Sequence, residues 1–168
     1  MSGEKKRQYS RELSELQSLL KQEIALAQEI LGQMSQQEYL MLIGELEMRD
    51  QLQNDVQILV RKLKSLQKKR KQMTHELIEK SSLQHTLADF LNPTDETDAE
   101  TLILLEKYQT LIEKITDQEK LNRSLHEMIQ KEGTLDPTNP ALRSQMIYDS
   151  KSQKPLLITI DYPHGKAS

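Results

Sequence analysis

Several residue types that carry structure or chemistry in other proteins are rare or missing in this chain. Its 168 residues include no cysteine, no tryptophan and a single phenylalanine. Without cysteine there is no disulfide framework, no thiolate metal site and no cysteine nucleophile. The shortage of aromatic side chains argues against a small-molecule or cofactor pocket, because such pockets are usually lined by aromatic residues. We therefore expect no cofactor.

Long apolar runs and a strong charge imbalance are missing as well. No apolar stretch approaches the roughly 18 residues of a membrane span, and residues 1–7 lack the apolar core of a secretory signal. The net charge of -3 is too small to favour a nucleic acid. These absences predict a cytoplasmic protein with no membrane insertion and no nucleic-acid partner.

Residues that favour helix are abundant. There are 27 leucines and 12 isoleucines but only two valines, and leucine together with glutamate, lysine and glutamine favours helix. Between residues 4 and 132, glycine and proline occur only at Gly32, Gly44 and Pro93. Such long stretches without a helix breaker predict an all-α fold, either a long antiparallel helical hairpin or a three-helix bundle with coiled-coil-like packing.

The bounds of the helices follow from apolar side chains spaced three and four residues apart. We predict a helical bundle over residues 8–132. Within it, the predicted helices cover 8–33, 35–79, 82–91 and 97–131. Gly32 ends the first helix, and the capping-box spacing of Ser35 and Glu38 begins the second.

The last helix and the tail have their own signals. Thr97 and Glu100 have capping-box spacing, which begins the last helix. Four of the five prolines follow residue 133, so we predict a mostly flexible tail over 133–168. Within the tail, 140–147 is a candidate short helix and 156–160 is a strand-like run that could not be stable alone.

Apolar stripes along the three long helices predict the core. The stripe of the first helix is Leu13, Leu16, Leu20, Ile24, Ala27, Leu31 and Met34. The second helix carries a heptad seam of Leu52, Val56, Leu59, Leu63, Leu66, Arg70, Met73 and Leu77. The third carries Leu102, Leu105, Tyr108, Leu111, Ile112, Ile115, Leu121, Leu125, Met128 and Ile129.

Residues that could support catalysis are scattered. The four histidines, at positions 75, 85, 126 and 164, form no His-Glu-x-x-His pair. No serine lies in a Gly-x-Ser-x-Gly elbow, and the acidic residues alternate with lysine and glutamine as they do on solvated helix faces. We therefore expect no enzymatic activity, no catalytic residue and no metal site.

The strongest charge feature is a basic run in the second helix. Residues 61–71 contain seven basic residues and no acidic one. These are Arg61, Lys62, Lys64, Lys68, Lys69, Arg70 and Lys71. The run is either a solvated coiled-coil flank whose aliphatic stems shield the seam, or a patch for an anionic partner, among which an acidic protein is favoured because interleaved aromatics are absent.

Two further features leave alternatives open. The stripe of the last helix is interrupted by Gln118, Glu119 and Asn122, which are either buried polar residues that set helix register or the edge of a partner-binding face. Residues 39–43 are apolar all round the helix, so a helical hairpin cannot bury all of them. Either the tail or a partner is expected to cover the rest.

Three stretches of the chain resemble the flagellar FlgN-type export chaperones of the type III secretion pathway. The first runs from Glu38 through Leu42 to Arg49, where the family usually has an acidic helix start and a later basic residue. The second is Leu121-Asn-Arg-Ser-Leu, similar to a Leu-Asn signature on the third long helix although its second Asn is unmatched. The third is Tyr148-Asp-Ser-Lys in the tail, where the family's glycine is absent.

The resemblance implies a binding function. Such chaperones hold the C-terminal helices of hook-associated or other secreted subunits and deliver them to the export gate. By carry-over, the client would be bound by Leu121, Asn122, Leu125, Met128 and Ile129. The export gate would be contacted by Tyr148, Asp149 and Ser150.

Two other classes of protein fit parts of the sequence. The heptad seam and the basic run suit a stalk or escort protein of the secretion ATPase. They also suit a coiled-coil scaffold, which would have to be an elongated dimer, whereas a chaperone would be a monomer or a weak homodimer.

Overall fold

A computed structural model describes residues 3–79, 91–92 and 94–132, apart from the side chains of Lys5 and Lys6. The described residues form three helices that pack against each other: α1 (Gly3–Leu42), α2 (Leu46–Glu79) and α3 (Glu96–Glu132). None of the described residues is in a strand. The predicted all-α three-helix bundle is therefore confirmed.

Several predicted elements lie outside the described residues. These are the segment 82–90 of the predicted helix over 82–91, the whole tail over 133–168, and its candidate helix and strand-like run. Leu91 itself is described and lies in a bend.

The chain divides into two compact units. Of the described residues, unit 1 contains 3–26, 62–79, 91–92 and 94–110, and unit 2 contains 27–61 and 111–132. Each unit has an apolar core of its own, to which α1, α2 and α3 all contribute.

The core of unit 1 is built largely from leucine. Its buried residues are Leu13, Leu16, Leu20, Leu77, Leu91 and Leu105. The Gln17 amide donates to Thr101 Oγ1 at 2.8 Å, and the Tyr9 hydroxyl donates to Asp98 at 2.9 Å. Because residue numbers rise together in these pairs, α1 and α3 run parallel in this unit, whereas α2 runs antiparallel to both.

One buried apolar cluster of unit 2 lies where α1 ends. Its buried residues are Met41, Leu121, Leu125 and Ile129, with Leu42, Leu46 and Met128 packed against them at partial burial. The Gln37 amide of α1 donates to Gln53 of α2 at 2.6 Å, and Asn122 of α3 donates to the carbonyl of Met34 at 2.8 Å. Amide groups thus accompany the apolar contacts in this unit.

The first helix ends nine residues later than predicted, at Leu42 instead of residue 33. α1 continues through Gly32 and Ser35 to Leu42, so Ser35 and Glu38 do not begin a helix. The break is at Gly44, which has φ of 81°. The Glu45 amide donates to the Leu40 carbonyl and the Gly44 amide to that of Met41, the paired bonds of a Schellman C-cap. A left-handed residue closes such a cap, and glycine adopts that conformation without a Cβ penalty.

Most residues of the predicted stripes are buried. Leu52, Leu66 and Met73 of α2 and Leu102, Leu111 and Met128 of α3 are only partly buried. Along α2, Val56, Leu63, Arg70 and Leu77 are buried. Along α1, Ile30 is buried whereas Leu31 is only partly buried, so choosing Leu31 was wrong. In the structure the step after Ala27 is three residues, to Ile30, and the next step is four, to Met34.

The start of α3 was placed one residue too late, and its capping residue two residues too late. The Asp95 carboxylate accepts hydrogen bonds from the backbone amides of Thr97 and Asp98 at 3.0 and 3.1 Å. Asp95 is therefore the N-cap, and the first helical residue is Glu96. Thr97 is already inside the helix.

Candidate functional site

The residues assigned to client binding lie in the core of unit 2. Leu121, Leu125 and Ile129 are buried against Met41, and Met128 packs on this cluster at partial burial. Side chains that fill a core offer no apolar surface to a client while the unit stays folded. Asn122 and Met128 are only partly buried. The packing thus does not favour a client site on this face of α3, and the assignment stays a prediction.

The polar interruption of the α3 stripe turns towards α1. The Asn122 amide donates to the carbonyl of Met34, and the Gln118 amide donates to the Glu38 carboxylate at 2.9 Å. Glu119 is buried. Gln118 and Asn122 are partly buried. Of the two alternatives, these contacts favour polar residues that set the register of α1 against α3, because each must find its partner.

A polar cleft of about 340 Å³ opens among the three helices of unit 2. From α1 it is lined by Met34, Gln37 and Met41, from α2 by Arg49, Gln53 and Gln57, and from α3 by Glu119, Asn122, Arg123 and His126. No aromatic side chain other than His126 faces it. A lining of amides and charged groups differs from the apolar and aromatic walls of most small-molecule sites.

Most polar groups of the cleft bind each other. Arg49 Nη2 lies 2.8 Å from His126 Nδ1 and 3.1 Å from the Asp50 carboxylate. Arg123 is paired with Glu119, one helical turn before it. Arg49 Nε and Glu119 Oε2 are buried and have no hydrogen-bond partner among the described residues. The two arginines are neutralised by nearby carboxylates, so the cleft does not favour an anion.

Sequence patterns missed this cleft, although a signal was present. Gln37 follows the stripe residue Met34 by three positions, and Gln53 precedes the seam residue Val56 by three. Amides at core spacing on two helices, opposite the polar interruption on a third, indicate a polar layer.

Arg70 does not belong to the basic patch. Its side chain is 1% exposed and its Nε lies 2.7 Å from Glu23 Oε2, whose side chain is fully buried. The guanidinium also stands 5.6 Å from the ring centre of Tyr108, whose hydroxyl accepts a hydrogen bond from Gln67 at 2.8 Å. A buried arginine needs a charge partner, and Glu23 supplies it.

The burial of this cluster changes the acidity of its members. Loss of hydration raises the pKa of Glu23 above its ordinary value, although the neighbouring Arg70 acts in the opposite direction. Burial and the nearby Glu23 carboxylate raise the pKa of Tyr108. In the same unit, burial and the bond to Asp98 raise the pKa of Tyr9.

The other six residues of the basic patch are exposed. Lys62, Lys64, Lys68, Lys69 and Lys71 lie in unit 1, and Arg61 is the last residue of that stretch of unit 2. The structure thus leaves five lysines of the predicted patch on the solvent side of α2 in unit 1.

Large apolar side chains are exposed around the turn between α1 and α2. Tyr39 is 56% exposed, Ile43 is 49% exposed and Met48 is 55% exposed. Leu40 and Met41, by contrast, are buried. We call Tyr39, Ile43 and Met48 the turn surface. It consists of the two exposed residues of the apolar stretch 39–43 and of Met48, which follows the turn.

The remaining predicted features are placed as follows. Tyr148, Asp149 and Ser150 lie outside the described residues. None of the described helices is long and apolar enough to cross a membrane. Within the described ranges, no three His, Asp or Glu side chains are grouped closely enough to hold a metal ion.

Comparison with known proteins identifies no relative. No family model, no curated protein and no solved structure matches the chain.

Proposed function

We propose that the protein is a non-catalytic chaperone of the export type. It holds an amphipathic helical segment of a secreted subunit, flagellar hook-associated or a similar type III substrate, in the cytoplasm and delivers that segment to the export gate. The resemblance of three stretches to FlgN-type chaperones suggests the class of client. The exposed turn surface is the single structural observation that carries the proposal.

The turn surface has the properties that an amphipathic helix needs from its partner. Tyr39 and Ile43 stand four residues apart and therefore share one face of the helix end, where the Ile43 amide still donates to the Tyr39 carbonyl at 3.1 Å. Large exposed apolar groups of this kind mark interaction sites on proteins, and a client helix supplies matching anchors at helical spacing.

The charges around the turn surface indicate the flanks of the client helix. Among residues 39–48 the only charged side chains are Glu45 and Glu47, and both are exposed. Charge complementarity favours a helix whose apolar stripe is bordered by lysine or arginine.

Burial of the α2 seam favours the chaperone over the coiled-coil scaffold. A scaffold that dimerises through α2 needs this seam on its surface. Val56 is buried in unit 2, and Leu63 and Leu77 are buried in unit 1. These seam residues are thus covered by the same chain and are not available for pairing with a second copy.

Two isoleucines provide a matched test of the client site. Ile43 and Ile58 belong to unit 2 and are each 49% exposed, but only Ile43 belongs to the turn surface. We expect Ile43→Ser to weaken binding of labelled peptides from the C-terminal helices of the organism's secreted hook-associated subunits by about tenfold, a typical anchor effect. Ile58→Ser should leave the affinity unchanged in the same fluorescence anisotropy assay.

Two results would contradict the proposal. One is the absence of binding to any such peptide by the full chain. The other is an equal loss of affinity in the Ile43 and Ile58 variants while circular dichroism reports unchanged helicity.

Docking to the export gate through Tyr148, Asp149 and Ser150 is the second half of the proposal and rests on the resemblance alone. Tyr148→Ala in the full chain should abolish binding to the gate component and leave client affinity unchanged.

A further inference from the structure

The solvent-facing side of α2 in unit 1 carries charge of one sign only. Over residues 62–72 the exposed side chains are five lysines, Ser65 and Gln72. The lysines are Lys62, Lys64, Lys68, Lys69 and Lys71. We call these five lysines the lysine face. No acidic residue occurs between Asp55 and Glu76 on the same helix.

Packing holds the lysine face towards solvent. Leu63 is 1% exposed, and Arg70 is bonded to Glu23 inside the unit. These inward residues determine the rotation of α2 about its axis, and the lysines occupy the opposite half of the helix. The lysine face is therefore a fixed surface of unit 1.

The lysines are arranged in an ordered row. Lys64, Lys68 and Lys71 follow each other by four and three residues, which corresponds to axial steps of about 6 Å and about 4.5 Å along a helix. Residues at this spacing form one stripe. An acidic helix whose glutamates repeat every three and four residues presents carboxylates at the same steps.

The lysine face contains lysines but no exposed arginine or apolar side chain, and this composition favours some anionic partners over others. A bilayer would need apolar side chains next to the charges, and the exposed residues of 62–72 include none. Nucleic acids are preferentially read by arginine forks and aromatic stacking, whereas the arginine of this stretch, Arg70, is turned inward. Lysines act as single point charges and suit separate carboxylates.

We propose that the lysine face binds an acidic α-helix of a partner protein, whose carboxylates repeat every three and four residues. This site lies in unit 1, is distinct from the turn surface in unit 2 and does not depend on the chaperone proposal. Its attraction is electrostatic, so binding is weakened by salt.

The test uses the full chain and two synthetic helical peptides of identical composition. In one peptide the glutamates repeat at three- and four-residue spacing, and in the other they are distributed round the helix. We expect the first to bind at least about fivefold tighter at low salt, and its affinity to fall as salt rises from about 50 mM to about 300 mM.

Charge reversal identifies the site. Lys64→Glu combined with Lys68→Glu should weaken binding of the first peptide by about tenfold, because two attractions become repulsions. The matched control reverses Lys107 and Lys114, which are exposed on α3 and equally change net charge. The control should keep most of the affinity, and circular dichroism of both double variants should equal that of the original chain.

Three results would overturn the inference. The two peptides could bind equally well, or the Lys107 and Lys114 reversal could weaken binding as much as the α2 reversal. Duplex DNA or vesicles with about 30% anionic lipid could also bind more tightly than the first peptide at the same salt. In the last case the face would serve another class of anion.

Discussion

Arg70 stands in the middle of a basic run, yet its environment is opposite to that of its neighbours. Lys69 and Lys71 on either side are exposed, while Arg70 is buried against Glu23 and Tyr108. One oxygen of Glu23 and one guanidinium nitrogen, Nη2, find no hydrogen-bond partner among the described residues. The pair therefore carries a desolvation cost that its attraction must offset.

Removing one member of this pair should be far more harmful than removing a neighbouring lysine. We expect Arg70→Ala to lower the free energy of unfolding by about 3–5 kcal/mol, because it leaves the Glu23 carboxylate buried and unpaired. Lys69→Ala should change it by less than about 0.5 kcal/mol, as surface substitutions usually do. Urea unfolding followed by circular dichroism measures both.

Replacing the whole pair separates charge from packing. Glu23→Leu together with Arg70→Met should recover most of the lost stability, since apolar groups of similar size can substitute for a buried ion pair. If Arg70→Ala proves as mild as Lys69→Ala, the pair is not buried in solution.

At the scale of the elements, two glycines of similar sequence context have different roles. Gly32 lies in the interior of α1 with open space where a Cβ would point, whereas Gly44 has φ of 81° in the turn before α2. Only the second position needs the conformational freedom that glycine has. The composition alone does not distinguish these two breakers, and the wrong one was chosen as the helix end.

Alanine at these glycines should have effects of opposite sign. Gly32→Ala should stabilise the protein by about 0.5–1 kcal/mol, because alanine favours the helix interior. Gly44→Ala should destabilise it by about 1–2 kcal/mol, because a Cβ is strained at a left-handed position. Thermal unfolding of both variants gives the comparison, and a shift of the same sign in the two would be inconsistent with a turn at Gly44.

The first core stripe illustrates how well sequence periodicity predicts an element. Its register is right from Leu13 to Ala27, and the only error is one residue, Leu31 in place of Ile30. Five of the eight residues of the predicted α2 seam are buried, including its single charged member, and Leu52, Leu66 and Met73 are partly buried. Periodicity works here because the three helices are long and each buries one stripe.

For the whole molecule, the division between core and surface determines which residues can bind a partner. In the sequence, Leu121, Leu125, Met128 and Ile129 of α3 suited either a core or a partner-binding face. Leu125 is fully buried in unit 2, while Ile103 is 65% exposed in unit 1. A stripe at helical spacing shows that a face is apolar, but not what covers it.

Substitution by glutamate should affect folding differently at Leu125, which lies in the core, and at Ile103, which lies on the surface. Leu125→Glu places a carboxylate in the core of unit 2, and we expect a loss of helicity and of cooperative unfolding. Ile103→Glu should keep both, with a stability change below about 0.5 kcal/mol. If Leu125→Glu keeps its helicity but loses client binding, Leu125 contacts the client, and the client site lies on α3 as the sequence predicted.

The sequence by itself determined that the protein is helical and which stripes are buried, because these properties depend on residues only three or four positions apart. Tertiary structure decided which polar side chains turn inward: Arg70 is buried because Glu23, 47 residues earlier, meets it, and Asn122 is satisfied by a carbonyl 88 residues earlier. A buried polar group is tolerated only with a partner in reach, and packing alone brings such distant partners together. The same packing covered Leu125 and left Tyr39 and Ile43 exposed.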